Sequence, residues 1–334
     1  MTAKAIAFRR FAMLAKVAAT AALLWFVISR VDLVQLVSRL SAAEIALAIC
    51  SSALLLALQS LIAAFRLQIC TGLLGHRVGL ARAWGACLIG GFFSHTPFSF
   101  VGGDALRVWK LVNASVPLTN AAKAVLIDRA LGFVGTMALV LVTSPALYEL
   151  IRDPVMKGGY MLVLLLGIAG VCLFIALGFF KPVPHLSRTV RWLTEFATVS
   201  RHLSARPVQS AKAVTLALVI NALNPLAVWT IAQAYGMPVD FYAALIASPV
   251  VFLIAMVPIS VAGWGLREGA FVVALGLFGL PSAAALTISV TFGVAVLLAY
   301  LPGAALLFVE KRRTEPTRKP AEFDQAFSRR TGHS

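Results

Sequence analysis

Arg107, Arg129 and Arg267 sit in or beside strongly apolar sequence, each within three residues of a carboxylate on Asp104, Asp128 or Glu268. Planar guanidinium forks bind phosphate bidentately. Ionised side chains are costly in hydrocarbon, so such groups persist in a membrane chain only where protein, water or a charged ligand surrounds them. Two of the arginines follow nearly the same string. Pro97-x-Ser99-x-x-Gly102 precedes Gly103, Asp104 and Arg107, and Pro258-x-Ser260-x-x-Gly263 precedes Gly265, Arg267 and Glu268. Proline and glycine interrupt helices. Interruptions at matching places in the two halves of a membrane chain point to a binding site near the bilayer midplane. The glycines would also let backbone N–H groups and helix N-termini approach an anion held by the arginines.

Other chemistries fit these residues less well. Ser99 and Ser260 are not in a G-x-S-x-G setting, and no histidine occupies a matched position in both strings, so a hydrolase nucleophile is not expected. Both serines are read as hydrogen-bond partners for carbonyls freed at the breaks. Neighbouring helical residues point about 100° apart, so Asp128 and Arg129 are expected to address different partners, with Asp128 pairing to Arg107 or Arg267. A proton relay through Asp104, Asp128 or Glu268 stays open, because buried carboxylates pick up protons readily. A purely structural alternative is that the charges only lock helices together. An unpaired mid-span charge costs about 2.5–3.5 kcal/mol on insertion scales. The matched breaks favour binding, since packing alone needs no interruption.

The elements that carry these residues are membrane helices. The chain has 334 residues, 60% hydrophobic and 13% charged, against roughly a quarter charged in a soluble domain. Apolar runs long enough to span cover about 11–29, 42–65, 124–148, 158–180, 212–235 and 284–309. Two further apolar regions, 84–116 and 240–280, are broken at the strings above. No stretch is long enough for a soluble catalytic core, so no enzymatic activity is expected. The formal charge of +16 resides in loops and tails flanking the spans, which is the positive-inside pattern and not a nucleic-acid footprint. The four cysteines are isolated, with no metal-ligand spacing, so neither metal nor cofactor is expected. Only His95, near the first break, stands close to the candidate site. Arg9-Arg10 reads as an orientation anchor and not as a twin-arginine signal, because a full span follows with no cleavage site.

Charge counting places both termini and the loops 66–82 and 181–212 in the cytoplasm. Each broken region must then contribute an even number of crossings. A re-entrant hairpin is the economical solution, with two full spans the alternative for 240–280. The expected fold is an all-α, polytopic membrane protein of about six full spans plus two broken hairpins, about eight membrane segments in all. Halves at about 42–148 and 212–309 would form an inverted repeat within a domain of residues 1–309. The basic tail 310–334 is expected to be disordered. Segment 186–203, with Trp192, Phe196, Val199 and Leu203 at helical spacing, suits an amphipathic helix on the anionic inner leaflet.

Three motifs carry a family resemblance: Val101-Gly-Gly-Asp-Ala-Leu-Arg107, Ile127-Asp-Arg-Ala-Leu-Gly132, and Pro258-Ile-Ser-Val-Ala-Gly-Trp-Gly-Leu-Arg-Glu268. In this order they resemble the flippase-like membrane region of lysylphosphatidylglycerol synthases, a family that includes stand-alone membrane proteins without the synthase domain. Asp128 stands where many relatives carry glutamate, and Ala262 replaces a common glycine. The resemblance implies the lipid-translocating half of the synthases without the tRNA-dependent half. The cargo would be an anionic or aminoacylated phospholipid, a hopanoid or a lipid-linked intermediate, moved between leaflets of the inner membrane. The arginines, carboxylates, glycines and serines named above would form its site. Alternatives are a membrane-embedded transferase for lipid-linked sugars and a scaffold that recruits a separate lipid-modifying enzyme.

Overall fold

A computed structural model describes residues 40–96, 102–177, 203, 206–257 and 263–314. The helices are α1 (Ala42–Leu73), α2 (Leu80–His95), α3 (Gly103–Val112), α4 (Leu118–Leu150) and α5 (Pro154–Leu177). They continue with α6 (Pro207–Ala234), α7 (Phe241–Ala255), α8 (Leu266–Gly276) and α9 (Ser282–Thr314). No strand occurs among the described residues. The chain is an all-helical, multi-pass membrane protein. Five of these helices, α1, α4, α5, α6 and α9, are long and apolar enough to cross a bilayer. The expected span 11–29 lies outside the described residues, as do Pro97, Ser99, Pro258, Ser260, Ala262 and nearly all of 186–203.

Local sequence explains the ends. Ser41 caps α1, accepting at Oγ from the Glu44 N–H at 3.2 Å, while Glu44 Oε2 accepts the Ser41 N–H at 2.7 Å. This reciprocal pair satisfies two donors that the helix start would otherwise leave open. Asp240 does the same for α7 through the Ala243 N–H at 2.7 Å.

The broken regions are pairs of short helices. Helices of 16 and 10 residues form the first pair, and of 15 and 11 the second. At 1.5 Å per residue none exceeds about 24 Å, short of the roughly 30 Å hydrocarbon core. For 240–280, these lengths favour the hairpin over two full spans. The two hairpins open on opposite ends of the bundle. The start of α2 and the end of α3 share a core with the end of α1, through Cys70, Val78, Ala83, Leu111 and Val116. The start of α7 and the end of α8 share a core with the start of α1, through Ala48, Val239, Ala243, Leu275 and Leu280. Since α1 connects the two ends, the hairpins point toward one another.

Helix packing repeats the pattern. Exchanging α1 with α6, α2 with α7, α3 with α8 and α4 with α9 maps the α2–α9 contact onto α7–α4, and α1–α9 onto α6–α4. It also maps α1–α2 onto α6–α7, α3–α4 onto α8–α9 and α1–α4 onto α6–α9, with α1–α6 falling on itself. Helix α5 stands outside this exchange, packed on α4.

One end of the bundle gathers basic residues. Arg206 Nη1 donates to the Gly72 carbonyl at 2.9 Å, joining the end of α1 to the start of α6. Asn120 Nδ2 lies 2.7 Å from His76 Nε2, joining the α1–α2 connection to α4. Lys110 pairs with Glu310, joining α3 to the end of α9. Two boundaries differ from the sequence reading. Helix α9 runs through Thr314, so the tail begins later than residue 310. Helix α1 runs to Leu73, so Arg66 belongs to a membrane helix and not to a loop.

Candidate functional site

The first hairpin holds a charged ladder between α3 and α4. Asp128, with a side chain only 1% exposed, accepts from Arg66 Nε at 2.7 Å and from Arg107 Nη1 at 2.9 Å. Arg107 Nη2 also donates to Cys87 Sγ at 3.2 Å on α2. Two buried guanidinium groups thus share one carboxylate, leaving Arg66 Nη1 and Arg107 Nε without a hydrogen-bond partner. One step along, Asp104 accepts from Arg129 Nη2 at 2.7 Å and Nε at 2.9 Å. This second rung is about half exposed on both sides. The separation of Asp128 and Arg129 into buried and exposed roles follows from their helical angle. They address different partners, as expected: Asp128 pairs with Arg66 and Arg107, and Arg129 with Asp104; Asp104 and Arg107 lie one turn apart on α3, so both reach that helix.

The second hairpin is organised differently. Glu268 is fully buried and accepts from Arg267 Nη2 at 2.5 Å and from its own helix start, the Gly265 N–H, also at 2.5 Å. Ser289 Oγ on α9 donates to the same carboxylate at 3.3 Å. Arg267 lies over the rings of Trp264 and Phe292, 5.2 and 5.8 Å from their centroids, so its cationic face is covered by aromatic π density. Gly263 and Gly265 adopt φ of +79° and +84°, conformations open to glycine and strained for other residues. Gly102, by contrast, has an ordinary negative φ, and Gly103 is buried against Gly90 and Ser94 of α2.

The hairpins meet. Trp264 Nε1 donates to the His95 carbonyl at 3.4 Å, linking the second tip to the end of α2. The His95 ring stacks on Tyr300 of α9 with centroids 5.6 Å apart. Arg107 and Arg267, one per hairpin, are both buried.

Residues 13–303 match the sequence pattern of the family described as the lysylphosphatidylglycerol synthase TM region. The chain belongs to that family. The match covers both hairpins, the ladder and the tip junction, so these features lie within the family's region. No curated protein and no solved structure matches the chain. Membership in the lysylphosphatidylglycerol synthase TM family makes this a membrane protein involved in lipid handling.

Arg66 and the Lys110–Glu310 pair were not foreseen as partners of the site. A signal for Arg66 was present: Leu67, Ile69 and Cys70 continue the apolar helical spacing beyond it, so the helix need not end at the first charge. Nothing local announces that Lys110 meets a residue 200 positions away.

Proposed function

We propose that this protein moves an amphiphilic lipid between the leaflets of the cell's inner membrane, without bond-making chemistry of its own. The supporting observation is that two short-helix hairpins, open to opposite ends of the bundle, touch through Trp264 and His95, and that each hairpin carries a buried arginine. A lipid headgroup at this junction would find the half-exposed Arg129–Asp104 pair first. Arg129 offers a bidentate fork to a phosphate, and Asp104 a carboxylate to any cationic group on the same head. The acyl tails would stay in the surrounding hydrocarbon. Gly102, Gly103, Gly263 and Gly265 shape the two approaches, while Arg107, Arg267, Asp128 and Glu268 hold the surrounding helices in register.

The exchange symmetry of the helix contacts supports alternating exposure, in which residues 42–150 and 207–309 act as inverted repeats that rock about α1 and α6. The basic end of the bundle would face the cytoplasm. Leaflet exchange of fluorescent lipids in proteoliposomes tests the reading, over phosphatidylglycerol, aminoacylated lipid, hopanoid and polyprenyl phosphate. Wild-type protein should accelerate exchange of at least one. Arg129→Ala, at an exposed position, should abolish most of that acceleration while leaving the melting temperature unchanged. Normal exchange by Arg129→Ala, Arg107→Ala and Arg267→Ala alike would refute the site.

A further inference from the structure

The basic end of the bundle carries a groove that lipid exchange through the tip junction does not use. Its volume is about 1260 Å³, and it lies between the last turns of α1 and the first turns of α6. Helix direction sets its depth profile. Phe65 on α1 and Leu216 on α6 lie farther from the basic end than Gly72 and Val208, so the inner part of the groove is mainly apolar, lined by Phe65, Ile69 and Leu216 with Gln68 and Thr215 as its polar side chains. The outer part carries His76 and Arg77, Lys212 lies midway along the α6 wall, and no carboxylate lines the groove among the described residues. Phe65 is 42% exposed and Val208 68% exposed along it. The Arg206–Gly72 hydrogen bond fixes the two helix ends on either side.

A cationic mouth over an apolar channel, at the end of membrane helices, matches the phosphate and one acyl chain of an anionic phospholipid. The chain's own neighbouring segment is a poor occupant. Residues preceding α6 carry Lys181, Arg188, Arg191 and Arg201 against Glu195, the same sign as the mouth. We infer that this groove is a second lipid site, holding an anionic phospholipid of the basic-side leaflet by its phosphate at Arg77 and Lys212.

Native mass spectrometry of the full chain in neutral detergent tests this with phosphatidylglycerol, phosphatidylcholine of the same acyl chains, and inorganic phosphate. Phosphatidylglycerol should be retained well above phosphatidylcholine. The double variant Arg77→Ala/Lys212→Ala should lose roughly thirtyfold in phosphatidylglycerol affinity, as expected for two surface cations. The Arg129→Ala variant should retain the lipid at this groove as wild type does, separating it from the exchange site. Equal retention of both lipids, or unchanged affinity in the double variant, would overturn the inference. So would inorganic phosphate binding as tightly as the lipid, which would assign the mouth to a free anion. A photoreactive group at position 69 should cross-link lipid; cross-linking to residues 178–205 instead would assign the groove to the chain itself.

Discussion

The two hairpins solve the same problem, a helix broken inside a bilayer, by opposite means. In the first, the break is tolerated by close approach. Gly103 starts α3 directly against the Gly90 carbonyl and Ser94 of α2, where any side chain would collide with backbone. The charges there are long-range, drawn from α1, α3 and α4. In the second, the break is tolerated by backbone conformation. Gly265 takes φ +84° and ψ −50°, near the mirror γ-turn that is rare and strained for L-residues. Its charges are local, with Glu268 pairing to its neighbour and capping its own helix. The start of α8 is therefore already occupied by a carboxylate, whereas α3 begins at Gly102 with no side-chain cap. The first break is thus held by contacts drawn from several helices, and the second by its own backbone and neighbouring side chains.

Removing the shared carboxylate should break the first hairpin most severely. Asp128→Ala leaves Arg66 and Arg107 buried without their counter-charge, and the expected loss is about 3–5 kcal/mol. Unfolding of purified protein in detergent measures it; a loss below that of an exposed ion pair would show that the ladder is not buried. Next come the glycines, which separate the two means directly. Gly265→Ala should cost about 1–3 kcal/mol through backbone strain. Gly102→Ala, with an ordinary φ and open space at its Cβ, should cost almost nothing. Equal effects of the two would erase the proposed difference between the breaks. Arg129→Ala should change stability by less than about 1 kcal/mol, as for an exposed ion pair, while reducing lipid exchange. Ser289→Ala removes one long hydrogen bond to Glu268 and should cost about 0.5–1 kcal/mol.

Much of this architecture was legible in the amino-acid sequence because membrane helices announce themselves by length and polarity. The spans of α1, α4, α5, α6 and α9 and the two interruptions follow from apolar runs; charge placement left 240–280 open between a hairpin and two full spans, and the short lengths of α7 and α8 favour the hairpin. The Asp128–Arg107 pair was one of two partners anticipated for that carboxylate. What escaped the sequence depends on crossing geometry. Arg66 looked like the first residue of a loop because it ends an apolar run, yet its carboxylate lies 62 positions away. Arg129 looked turned away from the partner of Asp128, but a helix crossing α4 presents Asp104 and Arg107 to both. The local pairing of Arg267 with Glu268 was equally hidden, since adjacent residues on a helix seldom share a direction; a long guanidinium arm closes that gap.

Each hairpin is walled by the last helix of the other half, α2 by α9 and α7 by α4. This interlock has a consequence for biogenesis. The first hairpin leaves the ribosome well before its wall exists: Lys110 is made 200 residues ahead of Glu310. At 5–20 residues per second the delay is roughly 10–40 s. During that interval a short, charged, unclosed helix pair must wait in the nascent bilayer, shielded only by whatever the insertion machinery provides.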